Sequence, residues 1–205
     1  MPGDPIDEVV AALQDGRVVV LPTDTVYGLV ARAADPSATT ALFALKDRPT
    51  GVPLAVLCAS VDQALAVVDP SVEPPVAAVA AAWWPGPLTL VLPRRAGVDL
   101  HLGEPVSTVG VRVPDHGLVR AIAARVGPLA ATSANRHGEP VAETAAAASA
   151  AFGEGVAVVV DGGRGGASSS TVIDATGWPW TVLRAGPIEG AAVLAVAAAA
   201  VEPRG

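Results

Sequence analysis

Short runs rich in valine and leucine alternate along this chain with stretches of helical spacing, and that alternation restricts the fold more than any other feature. The runs are RVVVLP (17–22), the end of TDTVYGLVARA (23–33), PLAVLCA (53–59), LTLVLP (88–93), VSTVGVRVP (106–114), PLAATSAN (128–135), residues 156–160, SSSTVID (168–174) and WTVLRAG (180–186). They have the length and β-branched content of strands. Between them, Asp4-Pro5 and Asp35-Pro36 each read as an N-cap followed by proline at the first helical position. Ile6, Val9, Val10 and Leu13 then follow helical spacing up to the stop at Gly16, and SATTALFALK carries a helix that ends near Lys46. Further helices are predicted over 61–68, over the Ala-rich stretch that ends at Trp83-Trp84-Pro85, and over 116–125, 143–152 and 190–201. No long linker and no internal repeat interrupts the series. The pattern predicts one α/β domain over 1–205, with a mixed, mainly parallel sheet and helices on its faces. It does not encode the strand order.

Thirteen basic against twenty acidic residues give a formal charge of −7. That disfavours loose, charge-driven binding to nucleic acid or to a membrane surface, but leaves room for one local basic pocket. The one cysteine, Cys58, allows no disulfide framework. It suits a reduced, cytoplasmic location, with Cys58 as a small buried residue. The N-terminal MPGDPIDEVV has neither the basic nor the apolar region of a signal peptide. The apolar stretch GAAVLAVAAAAV (190–201) falls short of the ~20 residues that cross a bilayer. It reads as a helix packed on the domain.

Lys46 is the single lysine in the chain; the other twelve basic residues are arginines. A compositional bias explains most of that, and a cation at a helix C-terminus is favourable in any case. The functional alternative is a position that needs a compact point charge instead of a planar fork. Strand periodicity adds a second clue. In STVGVRVP, Val109, Val111 and Val113 share one face, and Thr108, Gly110 and Arg112 share the other. The same alternation puts Trp180, Val182 and Arg184 on one face of the last strand. Lys46, Arg48, Arg112 and Arg184 thus all stand at the ends of apolar elements, where α/β sheets bind ligands. Converging cations there suit a polyanion such as a nucleoside triphosphate. ATSAN (131–135) and ASSST (167–171) supply hydroxyl and amide groups beside them, although such segments also serve as turns and caps. The chain has no G-x-x-x-x-G-K-[ST] loop and no G-x-S-x-G elbow, and GRGGAS (163–168) precedes a strand instead of opening a helix. Its three scattered histidines and one cysteine form no metal motif.

Six segments in order carry a resemblance: LPTDTVYGL (21–29), ALKDRPTGVPLAVL (44–57), WWPGPLTLVL (83–92), STVGVRVPDH (107–116), AATSAN (130–135), and SSTVIDATG with WTVLRAG (169–186). Together they resemble the YrdC-type threonylcarbamoyl-AMP synthases, in their short single-domain form, over about residues 6–188. The resemblance implies a twisted α/β sheet with a concave basic cavity. It implies that L-threonine, bicarbonate and ATP, with Mg²⁺, are condensed to threonylcarbamoyl-AMP and pyrophosphate. The product would pass to a tRNA threonylcarbamoyl transferase complex that modifies adenosine 37 of tRNA, which leaves room for weak RNA contact. Residue by residue, the resemblance assigns Thr25, Arg112 and Ser170 to threonine, with the backbone at Leu57 and Ala131. It assigns Arg48, Thr108, Ser133 and Arg184 to ATP, with the backbone near Val52 and Val141. Lys46, Arg48, Ser133 and Asn135 match the family's lysine-x-arginine and serine-x-asparagine signature. The aspartate of TDTVYGL stands where many relatives have glutamate. It names no metal ligand.

Two other readings compete. The cavity could recognise RNA without catalysis, but net charge and an aromatic content of 3% disfavour base stacking. It could instead process carbamoyl-adenylate like the related module of hydrogenase-maturation proteins. That module belongs to longer chains with zinc-finger-like cysteines, which this sequence lacks.

Overall fold

The computed structural model describes residues 4–136, 138–166 and 168–201. Its elements follow in the order α1 (Pro5–Gln14), β1 (Val19–Leu21), β2 (Gly28–Arg32), α2 (Pro36–Lys46), β3 (Ala55–Leu57), α3 (Val61–Leu65), α4 (Glu73–Trp83), β4 (Leu88–Pro93), β5 (Thr108–Arg112), α5 (Gly117–Val126), β6 (Leu129–Ser133), α6 (Ala145–Phe152), β7 (Val158–Val159), β8 (Thr171–Asp174), β9 (Thr181–Arg184) and α7 (Gly190–Val201). The caps behave as the sequence suggests. Asp4 accepts from the Ile6 amide at 2.9 Å, and Asp35 accepts from the Ser37 and Ala38 amides at 2.9 and 3.0 Å. In each case one carboxylate satisfies amides that the first helical turn leaves without partners.

The nine strands of the described residues join one sheet in the order β7-β1-β2-β6-β3-β5-β4-β8-β9. The sheet is mixed and helix-flanked, as expected. The expected parallel majority gives way to five antiparallel pairings against three parallel ones. The cause is the connections. β1 returns directly into β2 as its antiparallel neighbour, and β6 inserts antiparallel between β2 and β3. A strand–helix alternation read along the chain is blind to such insertions.

Alternate residues of each strand feed two different layers. Val18 and Val20, Leu29 and Ala31, Val109 and Val111, and Leu88, Leu90 and Leu92 pack into a large core together with α4 residues Val76, Val79 and Ala80 and α7 residues Val193 and Ala197. The opposite face is only partly covered. Val19, Leu21, Val30, Leu57 and Leu129 there meet Val9, Val10 and Leu13 of α1 and Val119, Ile122 and Ala123 of α5. Each large apolar side chain so buried contributes about 1.5–3 kcal/mol. Beyond the reach of α1 and α5 that second face stays open, and the strand positions continuing it line a cavity. Cys58 is fully buried, and burial pushes its thiol up to about 12, so it is the inert packing residue expected of it. Among the described residues no helix is long and apolar enough to cross a membrane.

Candidate active site

The cavity has a volume of about 440 Å³, a size usual for small-molecule sites. Its floor is made by the small and apolar positions Ala55, Leu57, Val91, Gly110, Ala131 and Val172. Its walls carry Thr23, Thr25, Thr89, Thr108, Thr132, Ser133, Ser169 and Ser170, with three guanidinium groups, Arg48, Arg112 and Arg184. No carboxylate lines it among the described residues, although the chain as a whole is acidic.

Arg112 ends β5 on the open face, where periodicity places it with Thr108 and Gly110. It is 6% exposed. Nε donates to the Gly86 carbonyl at 3.0 Å, one terminal nitrogen to Thr25 Oγ1 at 3.0 Å and the other to Asp24 Oδ1 at 2.5 Å. Three of its five N–H groups are thereby fixed and two remain. Asp24 supplies the countercharge for this buried cation, and its Oδ2 is buried without a protein partner among the described residues. The Thr25 hydroxyl is itself held by Thr23 Oγ1 at 3.0 Å.

Arg48 reaches the cavity because helix α2 ends just before it. Asp47 takes a left-handed conformation at φ 52°. The Arg48 amide then bonds back to the Phe43 carbonyl at 3.0 Å and the Asp47 amide to Ala44 at 3.1 Å, a Schellman ending. This reversal separates the two cations of the Lys-Asp-Arg step. Arg48 turns to the cavity, where Nε donates to the Val52 carbonyl at 2.7 Å and one terminal nitrogen to the Pro53 carbonyl at 2.8 Å. Burial lowers the pKa of Arg48.

Lys46 turns the other way. It is 3% exposed, and its ammonium donates to the Ser133 carbonyl at 2.7 Å and to the carbonyl and Oδ1 of Asn135, both at 2.8 Å. Ser133 Oγ, 3.4 Å from the ammonium, donates to Asn135 Oδ1 at 2.6 Å. An ammonium has three protons, and protein oxygens account for all of them. Burial pushes Lys46 down to about 8, with the charge of Arg48 adding to the effect. The helix-end cation that composition explains as a leftover is in fact the buried anchor of the turn after β6.

Arg184 departs from the simple alternation. Val172 pairs with Arg184 and Ile173 with Val182, so Leu183 is an extra residue in β9. This β-bulge re-aims the strand. Leu183 and Arg184 line the cavity, while Val182 packs beside Gly190 at the start of α7. The expected shared face of Val182 and Arg184 is thus broken. Arg184 donates twice to the Ser170 carbonyl, at 3.0 and 2.9 Å, and once to Ser170 Oγ at 3.1 Å. Burial, and then the neighbouring charge of Arg112, lower its pKa.

Ten of the residues that the sequence and resemblance single out therefore line one cavity: Thr25, Arg48, Val52, Leu57, Thr108, Arg112, Ala131, Ser133, Ser170 and Arg184. Lys46, Asn135 and Val141 do not. Lys46 and Asn135 brace the wall from behind, and Val141 lies in the loop whose Ala142 amide bonds to the Ala134 carbonyl at 3.1 Å. Sequence reasoning passed over Thr89 and the role of Asp24. Alternation within LTLVLP was the available signal for Thr89, since it sets Thr89 and Val91 opposite Leu88, Leu90 and Leu92.

A family model named for Sua5, YciO and YrdC, described as telomere recombination, matches residues 11–186. A threonylcarbamoyl-AMP synthase of Chromohalobacter salexigens is 40% identical over 83% of this chain and 92% of its own length. The solved structure of Pyrococcus abyssi Sua5 complexed with L-threonine is 35% identical and superposes with a TM-score of 0.86, over 93% of this chain and 56% of that one. Escherichia coli YciO is 25% identical with a TM-score of 0.80, over 90% of both chains. The chain thus spans about half of the archaeal protein and most of the two bacterial ones. A cavity assembled from six ordered segments, within a match that runs almost from end to end, makes this chain a member of the Sua5/YciO/YrdC family.

Proposed function

We propose that this chain is an L-threonylcarbamoyladenylate synthase. One observation carries the reading: three arginines from distant segments and a ring of hydroxyls meet in a cavity whose lining, among the described residues, holds no carboxylate. Such a lining favours anionic ligands over cations, and a triphosphate with an amino-acid carboxylate meets that requirement. Arg112, with two N–H groups still to give, takes the threonine carboxylate, beside Thr25 and Ser170 and the backbone of Leu57 and Ala131. Arg48, Thr108, Ser133 and Arg184 take ATP, with the backbone near Val52.

The chemistry runs in two steps. The neutral amine of threonine attacks the carbon of bicarbonate; a C–N bond forms, and hydroxide leaves with the amine proton as water. A carbamate oxygen then attacks the α-phosphorus of ATP, and the bond to the β-phosphate breaks to release pyrophosphate. Negative charge gathers at the phosphorus in that transition state. Guanidinium groups already fixed by protein oxygens stabilise it without reorganising. The recessed floor keeps water from the carbamate. Among the described residues no cluster of three His, Cys, Asp or Glu could hold a metal. Asp24, the carboxylate beside the cavity, is engaged by Arg112. The described residues thus offer no ligand set of their own for Mg²⁺, which enters as the magnesium complex of ATP, held by phosphate oxygens and water. Cytoplasmic action and transfer of the product to a tRNA-modifying complex complete the proposal.

Mass spectrometry of a reaction containing threonine, bicarbonate and ATP tests it. Threonylcarbamoyl-AMP should form together with pyrophosphate, and omission of any one substrate should abolish both. Pyrophosphate release that ignores threonine would overturn the reading.

A further inference from the structure

The assignments above give residues to threonine and ATP but none to the one-carbon substrate, which must lie where the two sets meet, at Ser170 and Arg184. Thr89 and Ser170 suggest one. Each is 5% exposed, each lines the cavity, and their hydroxyl oxygens lie 2.8 Å apart. Thr89 comes from β4 and Ser170 from the residue before β8, and these strands are parallel neighbours. Two hydroxyls carry two protons, and the bond between them uses one. Ser170 Oγ also accepts from Arg184 at 3.1 Å. Whichever hydroxyl donates to the other, one buried O–H proton is left without a protein acceptor among the described residues. A buried donor without a partner is costly, so such a group points to an acceptor that arrives from outside.

The surroundings define that acceptor. Arg184 spends Nε and one terminal nitrogen on Ser170, and its other terminal nitrogen makes no protein hydrogen bond among the described residues. Arg112 is close enough for its charge to lower the pKa of Arg184. The floor beside Thr89 is Gly110, where a Cβ would come 3.6 Å from Thr89 Cγ2, so the missing side chain leaves room for a small group only. A spare hydroxyl proton, an available guanidinium edge and a small floor suit a compact oxyanion.

We infer that the Thr89–Ser170 hydroxyl pair, backed by Arg184, is the subsite for bicarbonate and for the carbamate oxygens formed from it. This rests on the synthase reading. It makes Thr89 a substrate-contacting residue that the family resemblance does not supply. The position is sensible for the reaction, since Ser170, given to threonine, is bonded directly to Arg184, the arginine given to ATP, and the carboxylated amine must meet the α-phosphate where those two sets join.

Thr89→Val keeps the shape and removes the hydroxyl, and Thr89→Ser keeps the hydroxyl and removes the methyl. Initial rates of pyrophosphate release are measured in carbon-dioxide-depleted buffer against added bicarbonate, threonine and ATP in turn. The valine variant should raise the KM for bicarbonate about tenfold or more, with the KM values for threonine and ATP within about twofold. The serine variant should restore the wild-type value. An unchanged bicarbonate KM in the valine variant would overturn the inference. So would a loss of discrimination between threonine and 2-aminobutyrate, because the pair would then be reading the side-chain hydroxyl of the amino acid. A wild-type enzyme that shows no bicarbonate dependence would sink the synthase reading itself, which separates the two failures.

Discussion

Lys46 donates to Asn135 twice, to the carbonyl oxygen and to Oδ1, each at 2.8 Å, across 89 residues of sequence. The single lysine of the chain is therefore the pin that fixes the Ser133–Asn135 turn, and Ser133 is the part of that turn that reaches the cavity. Its charge acts on protein oxygens, while Arg48, two residues on, is the cation that lines the cavity.

Lys46→Ala should accordingly damage both stability and catalysis. It strands several partly buried oxygens, and hydrogen bonds to a charged group contribute about 1.5–3 kcal/mol each. A loss of about 3 kcal/mol in denaturant unfolding is expected, with kcat/KM for ATP down about a hundredfold. Lys46→Arg should fail nearly as badly in activity, because a planar fork cannot converge on the same oxygens. An arginine variant with wild-type kinetics would show that charge alone suffices.

The same burial gives Lys46 a pH signature. Its folded pKa of about 8 lies below the ordinary 10.5. Between these values the unfolded chain holds the proton and the folded chain has released it. Stability contributed by this site therefore rises with pH across that window, and below about pH 8 the folded state carries the full cost of the buried charge. Urea midpoints of wild type relative to Lys46→Met should rise from pH 7.5 to 10. A flat difference would mean that the surrounding oxygens fully offset the burial.

The Asp24–Arg112 pair sets a different test. Asp24→Asn keeps the size and removes the countercharge from a guanidinium that is 6% exposed. Breaking one side of a buried pair costs about 3–5 kcal/mol; the cavity and Thr25 soften this, so about 2–3 kcal/mol is expected. Arg112 would also lose its orientation. The KM for threonine should rise at least tenfold while the KM for ATP moves little, as steady-state kinetics with each substrate varied would show.

Much of this site was legible in the sequence, for reasons that particular residues display. Asp4-Pro5 and Asp35-Pro36 announce their helices because cap chemistry is local. Thr108, Gly110 and Arg112 share the open face because alternation survives in a regular strand. Arg184 escaped the same rule because the bulge at Leu183 depends on pairing with β8, which no period in β9 records. The direction of Lys46 was hidden by the left-handed turn at Asp47, a conformation usual for glycine. The antiparallel insertion of β6 between β2 and β3 was hidden because partner choice is set in three dimensions. Lys46, Asn135 and Val141 match a family pattern, yet only the fold shows the first two bracing the wall from behind.

The glycines of the loop 161–166 offer the last test. A Cβ at Gly166 would run into the Thr25 carbonyl group, whereas Gly163 faces open space at φ +81°. The loop is held where it lies by Tyr27, whose hydroxyl donates to the Gly163 carbonyl at 2.7 Å and accepts from the Gly162 amide at 3.0 Å. It cannot simply lift away. Gly166→Ala must therefore push Thr25 off Arg112, and the KM for threonine should rise about tenfold or more. Gly163→Ala strains only its own backbone, at about 1–2 kcal/mol, and should lower the melting temperature with kinetics unchanged. Equal kinetic losses in the two variants would mean that general loosening, and not the Gly166–Thr25 contact, governs the site.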